Sequence, residues 1–136
     1  MAPLPHWKPG TPGVLCVTGP HAIPVSTAVR AADDRLLFAL AASRETLARL
    51  REEPRVAYCL LGEGVAFTAY GEACVVAEQL ESVPVVAVEL RVGSVQDHLI
   101  EGRTELIDGA RWHFTAQRDV EADAAIVAEL GRLAGP

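Results

Sequence analysis

The stretch from Val65 to Val75 constrains the fold more than any other. Its odd positions are Val65, Phe67, Ala69, Gly71, Ala73 and Val75, with Thr68, Tyr70 and Glu72 standing between them. Alternation with a period of two is the mark of a β-strand, so the pattern predicts a strand with one buried face. Pro84 to Val92 repeats it on even positions, with Val86, Val88, Leu90 and Val92.

Further strands are predicted on either side. Val14 to Thr18 is a short apolar run that ends at a Gly19-Pro20 turn. Ala22 to Val29 predicts a second strand, broken by Asp33-Asp34, and Arg35 to Leu40 a third. Connections this tight are those of an antiparallel meander. Val56 to Leu61 precedes a Gly62-Glu63-Gly64 turn. The Asp108-Gly109 pair within Ile107–Ala110 predicts another turn, with Arg111 to Phe114 as its second arm. Two helices interrupt the pattern. One runs from Ser43 to Glu53, has Leu47 and Leu50 on its inward edge, and stops before Pro54. The other runs from Arg118 to Leu133, with Val120, Ala124, Val127, Leu130 and Ala134 along one side. Residues 1–13 read as an extended Pro- and Gly-rich arm that Trp7 can pin to the body. A chain of 136 residues with this order predicts one mostly β domain, a closed or nearly closed small barrel with minor α content.

Charge and composition narrow the function. The formal net charge is −6, which argues against a nucleic-acid surface. No stretch approaches the roughly 18 consecutive apolar residues of a membrane span. The N-terminal residues lack the basic-then-apolar order of a secretory signal. Cys16, Cys59 and Cys74 lie within apolar strand-like runs and form no C-x-x-C, so buried thiols in a reducing cytoplasm are expected. His6, His21, His98 and His113 are far apart, and none stands in H-E-x-x-H, so no metal site is expected. Asp97 and His98 invite reading as a catalytic pair, but neighbours on a strand point to opposite faces.

Arg44 stands out. It is read as the first residue of the early helix, where a cation opposes the positive end of the helix dipole. Two readings stand: a solvated surface arginine, or a partner for an anion, since a helix N-terminus offers unpaired N–H donors and Arg adds a charged fork. Glu45, in the same turn, favours the helix but repels an anion.

The order of these pieces resembles a known family. Val14-Leu15-Cys16-Val17-Thr18, Ile23-Pro24-Val25-Ser26, Arg35-Leu36-Leu37-Phe38 and Ser43-Arg44-x-Thr46 follow one another. Glu53-Pro54-Arg55-Val56-Ala57 and Tyr70-Gly71-Glu72-Ala73 come after them. The chain is similar, over roughly residues 12–92, to the FMN-binding split β-barrels of the pyridoxamine 5′-phosphate oxidase-like superfamily, including its branch that uses the deazaflavin F420. The resemblance implies a split β-barrel with a short helix after the third strand and a C-terminal helix. It also implies a homodimer with cofactor clefts at the interface, expected here to bury Val86 and Val88 and to bring Trp112 near the partner's cleft.

By the same resemblance, the cofactor phosphate rests at the start of the early helix. Ser43, Arg44 and Thr46 are the expected phosphate contacts, and Arg49 a further charge around the helix. Many relatives carry Lys where Thr46 stands, so a Thr46→Lys exchange is expected to strengthen binding. Val25, Ser26 and Thr27 are expected beside the ring and its side chain, with Ala41 and Ala42 letting the ring approach the backbone. The implied activity is hydride transfer between FMN, or F420, and a small molecule. The alternative is a non-catalytic carrier or sensor barrel. Haem is a lesser cofactor possibility, with His98 or His113 as axial ligand. The absence of a C-terminal basic cluster speaks against pyridoxamine 5′-phosphate oxidase activity itself.

Overall fold

The computed structural model describes residues 2–135. Seven strands form one antiparallel sheet. In chain order they are β1 (Gly13–Val17), β2 (His21–Val25), β3 (Val29–Ala32), β4 (Arg35–Leu40), β5 (Arg55–Gly62), β6 (Val65–Ala77) and β7 (Val86–Asp97). Helix α1 (Glu45–Glu52) follows β4, and α2 (Gln117–Leu133) ends the fold. The sheet order is β2-β1-β5-β6-β7-β4-β3.

The two edge strands, β2 and β3, are consecutive in sequence and joined by only Ser26, Thr27 and Ala28. This short connection brings the two edges of the sheet together and rolls it into a split barrel. The predicted single strand Ala22–Val29 is therefore two strands with a corner between them, and α1 follows the fourth strand rather than the third. Three hydrogen bonds with residues from elsewhere in the chain hold the corner. Thr27 Oγ1 accepts from the Ala39 amide at 3.0 Å. The Tyr58 hydroxyl donates to the Val25 carbonyl at 3.4 Å, and the Trp7 indole N–H donates to that of Ala28 at 3.2 Å. Trp7 also packs on Phe67, with ring centroids 5.4 Å apart. Gly13 is required beneath Tyr58, because a Cβ there would sit 2.2 Å from the phenol oxygen.

The barrel interior is filled. Leu15, Leu36, Phe38, Tyr58, Leu60, Phe67, Val88 and Leu90 are all buried completely, and Leu47 and Leu50 of α1 pack into the same core. A ligand must therefore bind outside it. Strands β4 and β7 are covered on both faces, since their alternate residues Leu37 and Ala87 form a second core with Leu80, Ile126 and Leu130 beneath α2. Within that interface the Glu129 carboxylate accepts from the Ser82 hydroxyl at 2.6 Å and from the Glu81 and Ser82 amides at 2.8 Å. These bonds, the Ser82 hydroxyl first, hold its carboxyl below the usual range.

Several expectations are corrected here. Val86 and Val88 are 1 % and 0 % exposed inside the barrel, so they cannot form a subunit interface. The inward face of α2 is Ile126, Glu129 and Leu130, while Val120 and Ala124 are exposed. Residues 107–114 form no strand. Leu106 instead accepts a hydrogen bond from Gly64 at 2.8 Å, so the segment lies across the β5–β6 turn without joining the sheet. Cys16, Cys59 and Cys74 are free thiols and only half-buried, because they face outward from their strands. Burial, then the neighbouring Cys59, raises the Cys16 pKa. Among the described residues no helix is long and apolar enough to cross a membrane.

Candidate functional site

The split in the barrel creates the site. β2 ends at Val25, and its corner residues lie against the end of β4 through the Thr27–Ala39 bond. Beyond β4 the chain turns at Ala41–Ser43, with the Arg44 amide donating to the Ala41 carbonyl at 3.0 Å, and enters α1. Corner and helix start thus border one cavity of about 240 Å³. Val25, Ser26, Thr27, Ala41 and Arg44 all line it.

Arg44 is the N-cap of α1 rather than its first helical residue, and no side chain caps the helix. The first amides of α1 thus lack intrahelical acceptors. The Arg44 side chain is exposed and, among the described residues, has no hydrogen-bond or ion-pair partner. The repulsion expected from Glu45 is moderated, since its carboxylate lies 3.4 Å from Arg49 and 3.6 Å from His21.

The other predicted residues are placed differently. Ala42 and Ser43 are exposed in the turn beside the cavity but do not line it. Thr46 is 1 % exposed, with its hydroxyl 2.9 Å from His21 Nε2, so it faces the barrel and not the cavity. Arg49 is turned away as well, and donates to the Thr18 carbonyl at 3.2 Å. Thr27 lines the cavity, but its oxygen is already engaged by Ala39.

Seven lining residues were not among the predicted contacts: Ile23, Pro24, Ala39 and Leu40 on the flanking strands, and Trp112, Phe114 and Asp123 from beyond the sheet. Asp123 comes from α2. Partial burial raises its pKa, and a hydrogen bond from Ser26 acts in the opposite direction. The signal for it was available, because Asp123 stands three and seven residues before Ile126 and Leu130, on the inward side of the helix. Trp112 and Phe114 lie in an irregular segment, where no periodicity reveals direction.

The histidines are dispersed. His98 Nε2 is 2.8 Å from Thr68 Oγ1, and His113 is exposed beside Arg111 and Trp112. Asp97 accepts from the Leu99 amide rather than from His98. Among the described residues no three His, Cys, Asp or Glu side chains are grouped to hold a metal ion.

No protein-family model matches the chain, and no curated protein matches it. Solved structures do. HupZ from Group A Streptococcus superposes with a TM-score of 0.57 at 9 % identity, over 74 % of this chain and 90 % of that one. A "Putative Pyridoxamine 5'-phosphate oxidase" from Listeria innocua gives 0.52 at 15 % identity, over 65 % and 88 %. An FMN-binding protein from Syntrophomonas wolfei gives 0.50 at 12 % identity, over 67 % and 78 %. The chain shares the split β-barrel fold of these structures.

Proposed function

We propose that the chain binds a phosphate-bearing flavin, FMN or the deazaflavin F420, at the start of α1. The observation that carries this reading is the convergence of Arg44, Ser26 and the small residues Val25 and Ala41 on one cavity at a helix N-terminus. An unpaired guanidinium beside free amide donors suits a phosphate. The cavity, about 240 Å³, lies below the roughly 300–1,000 Å³ of most small-molecule sites. It therefore suits the phosphate end, with the planar ring extending beyond it past Trp112 or Phe114.

When bound, the ring supplies hydride chemistry, and the protein contributes binding, orientation and exclusion of water. Arg44 holds the anionic end. Ser26 stands at the corner in the same cavity, where its hydroxyl can donate to the anionic end. On this reading the protein is an oxidoreductase acting on a small molecule.

The proposed homodimer uses a different surface from the one expected. Val14, Leu61 and Tyr70 are 42 %, 49 % and 45 % exposed on the outer faces of the adjoining strands β1, β5 and β6. With Ala57 and Cys59 between them they form an apolar sheet face suited to a second copy.

The test is a titration of the purified protein with FMN and separately with F420, followed by absorbance and fluorescence. Saturable binding of either supports the reading, and binding of neither overturns it.

A further inference from the structure

A second cavity, of about 520 Å³, lies between the N-terminal arm and the segment that follows β7. Both of its walls are fixed from outside. On the arm, Leu4 is buried and its amide donates to the Asp33 carbonyl at 2.8 Å, while Trp7 is held by Ala28 and Phe67. The Thr11 amide and hydroxyl both donate to the Lys8 carbonyl, at 3.2 Å and 2.6 Å, closing a tight turn at Gly10, whose φ is +88°. On the opposite wall Gly109 packs so closely on β5 that a Cβ would lie 2.1 Å from the Leu61 carbonyl. These contacts shape the cavity and leave the Trp112, Lys8 and Glu63 side chains available.

Those side chains are two indoles and a set of charges. Trp7 and Trp112 both line the cavity, and Trp112 is 49 % exposed. Asp108 is paired with Arg111 at 3.3 Å. Lys8 and Glu63, also in the lining, have no ion-pair partner among the described residues. The volume falls within the range of small-molecule sites, which combine aromatic walls with a few polar groups that fix orientation.

We propose that this cavity binds a small planar aromatic carboxylate carrying an N–H or O–H group. The ring lies against the indoles, the carboxylate meets the Lys8 ammonium, and the donor group faces Glu63. The proposal does not depend on flavin binding at Arg44, although Trp112 borders both cavities.

The chain has two tryptophans, so a nitrogen–proton NMR spectrum shows two indole N–H signals. Titration with 4-hydroxybenzoate is expected to shift the Trp112 signal in a saturable way. The exposed substitution Lys8→Glu is expected to weaken binding by about tenfold or more, and Arg44→Ala to leave it unchanged. The neutral 4-hydroxybenzyl alcohol is expected to bind more weakly than the acid. No saturable shift, or a shift that survives Lys8→Glu unaltered, overturns the proposal. So does one abolished by Arg44→Ala, which would place the acid in the other cavity.

Discussion

Ser26 at the corner of the split barrel and Asp123 of the second helix line the same cavity. Burial leaves the Asp123 pKa raised. A carboxyl with a higher pKa in the folded state stabilises the fold below its unfolded pKa, and this contribution is lost as pH rises through the folded value. Asp123→Asn is therefore expected to melt higher than the parent near pH 7, with the difference vanishing toward pH ~3. Thermal denaturation across that window checks it. The same exchange removes a negative charge from the cavity, so FMN affinity is expected to rise by about two- to fivefold.

Thr27 borders the same cavity but serves the fold. Its oxygen satisfies the Ala39 amide, and Thr27→Val removes that acceptor while keeping the shape. A buried donor left without a partner costs about 1–3 kcal/mol. Urea denaturation is expected to show that loss, with FMN affinity little changed.

Thr46 shows where the sequence misleads. Ser43-Arg44-x-Thr46 places Thr46 one short turn beyond Ser43, which suggests a shared ligand. The helix begins one residue later than expected and directs Thr46 inward to His21. Lys at this position would have to fit a long cationic chain into a site that is 1 % exposed. Thr46→Lys is thus expected to lower stability by at least ~1–3 kcal/mol and not to strengthen phosphate binding, contrary to the expectation from sequence. A denaturation curve beside an FMN titration checks both.

The parts of the fold that were legible depend on local periodicity. Strand β6 and β7 as far as Val92 follow from alternation, β5 from its apolar run before the Gly62-Glu63-Gly64 turn, and α1 ends at Glu52, two residues before Pro54. The corner at Ser26–Ala28 was not legible, because what holds it comes from Trp7, Tyr58 and Ala39, all distant in sequence. The Asp108-Gly109 signal misled, since residues 107–114 form neither a turn nor a strand and the chain there lies across the β5–β6 turn. In the site, Arg44 was legible from its conflict with the helix dipole. Phe114 was not, since an irregular segment carries no face.

Tyr70 lies on the proposed subunit surface, 45 % exposed on β6 and opposite Ala57 of β5. A stable obligate interface buries roughly 2,000 Å² or more, and a charge placed within it opposes association. The parent is expected to scatter light as twice the 14.5 kDa chain mass, and Tyr70→Glu as a monomer that remains folded by circular dichroism. A monomeric parent contradicts the proposed dimer.

The central claim is that Arg44 receives a phosphate, and a comparison of FMN with riboflavin tests it most directly, because the two share a ring and differ in that group. The parent is expected to bind FMN about ten- to a hundredfold more tightly than riboflavin, the effect of a charged hydrogen-bonding partner. Arg44→Ala is expected to reduce FMN affinity toward that of riboflavin while leaving riboflavin affinity unchanged. Equal FMN affinity in Arg44→Ala and the parent would contradict the account.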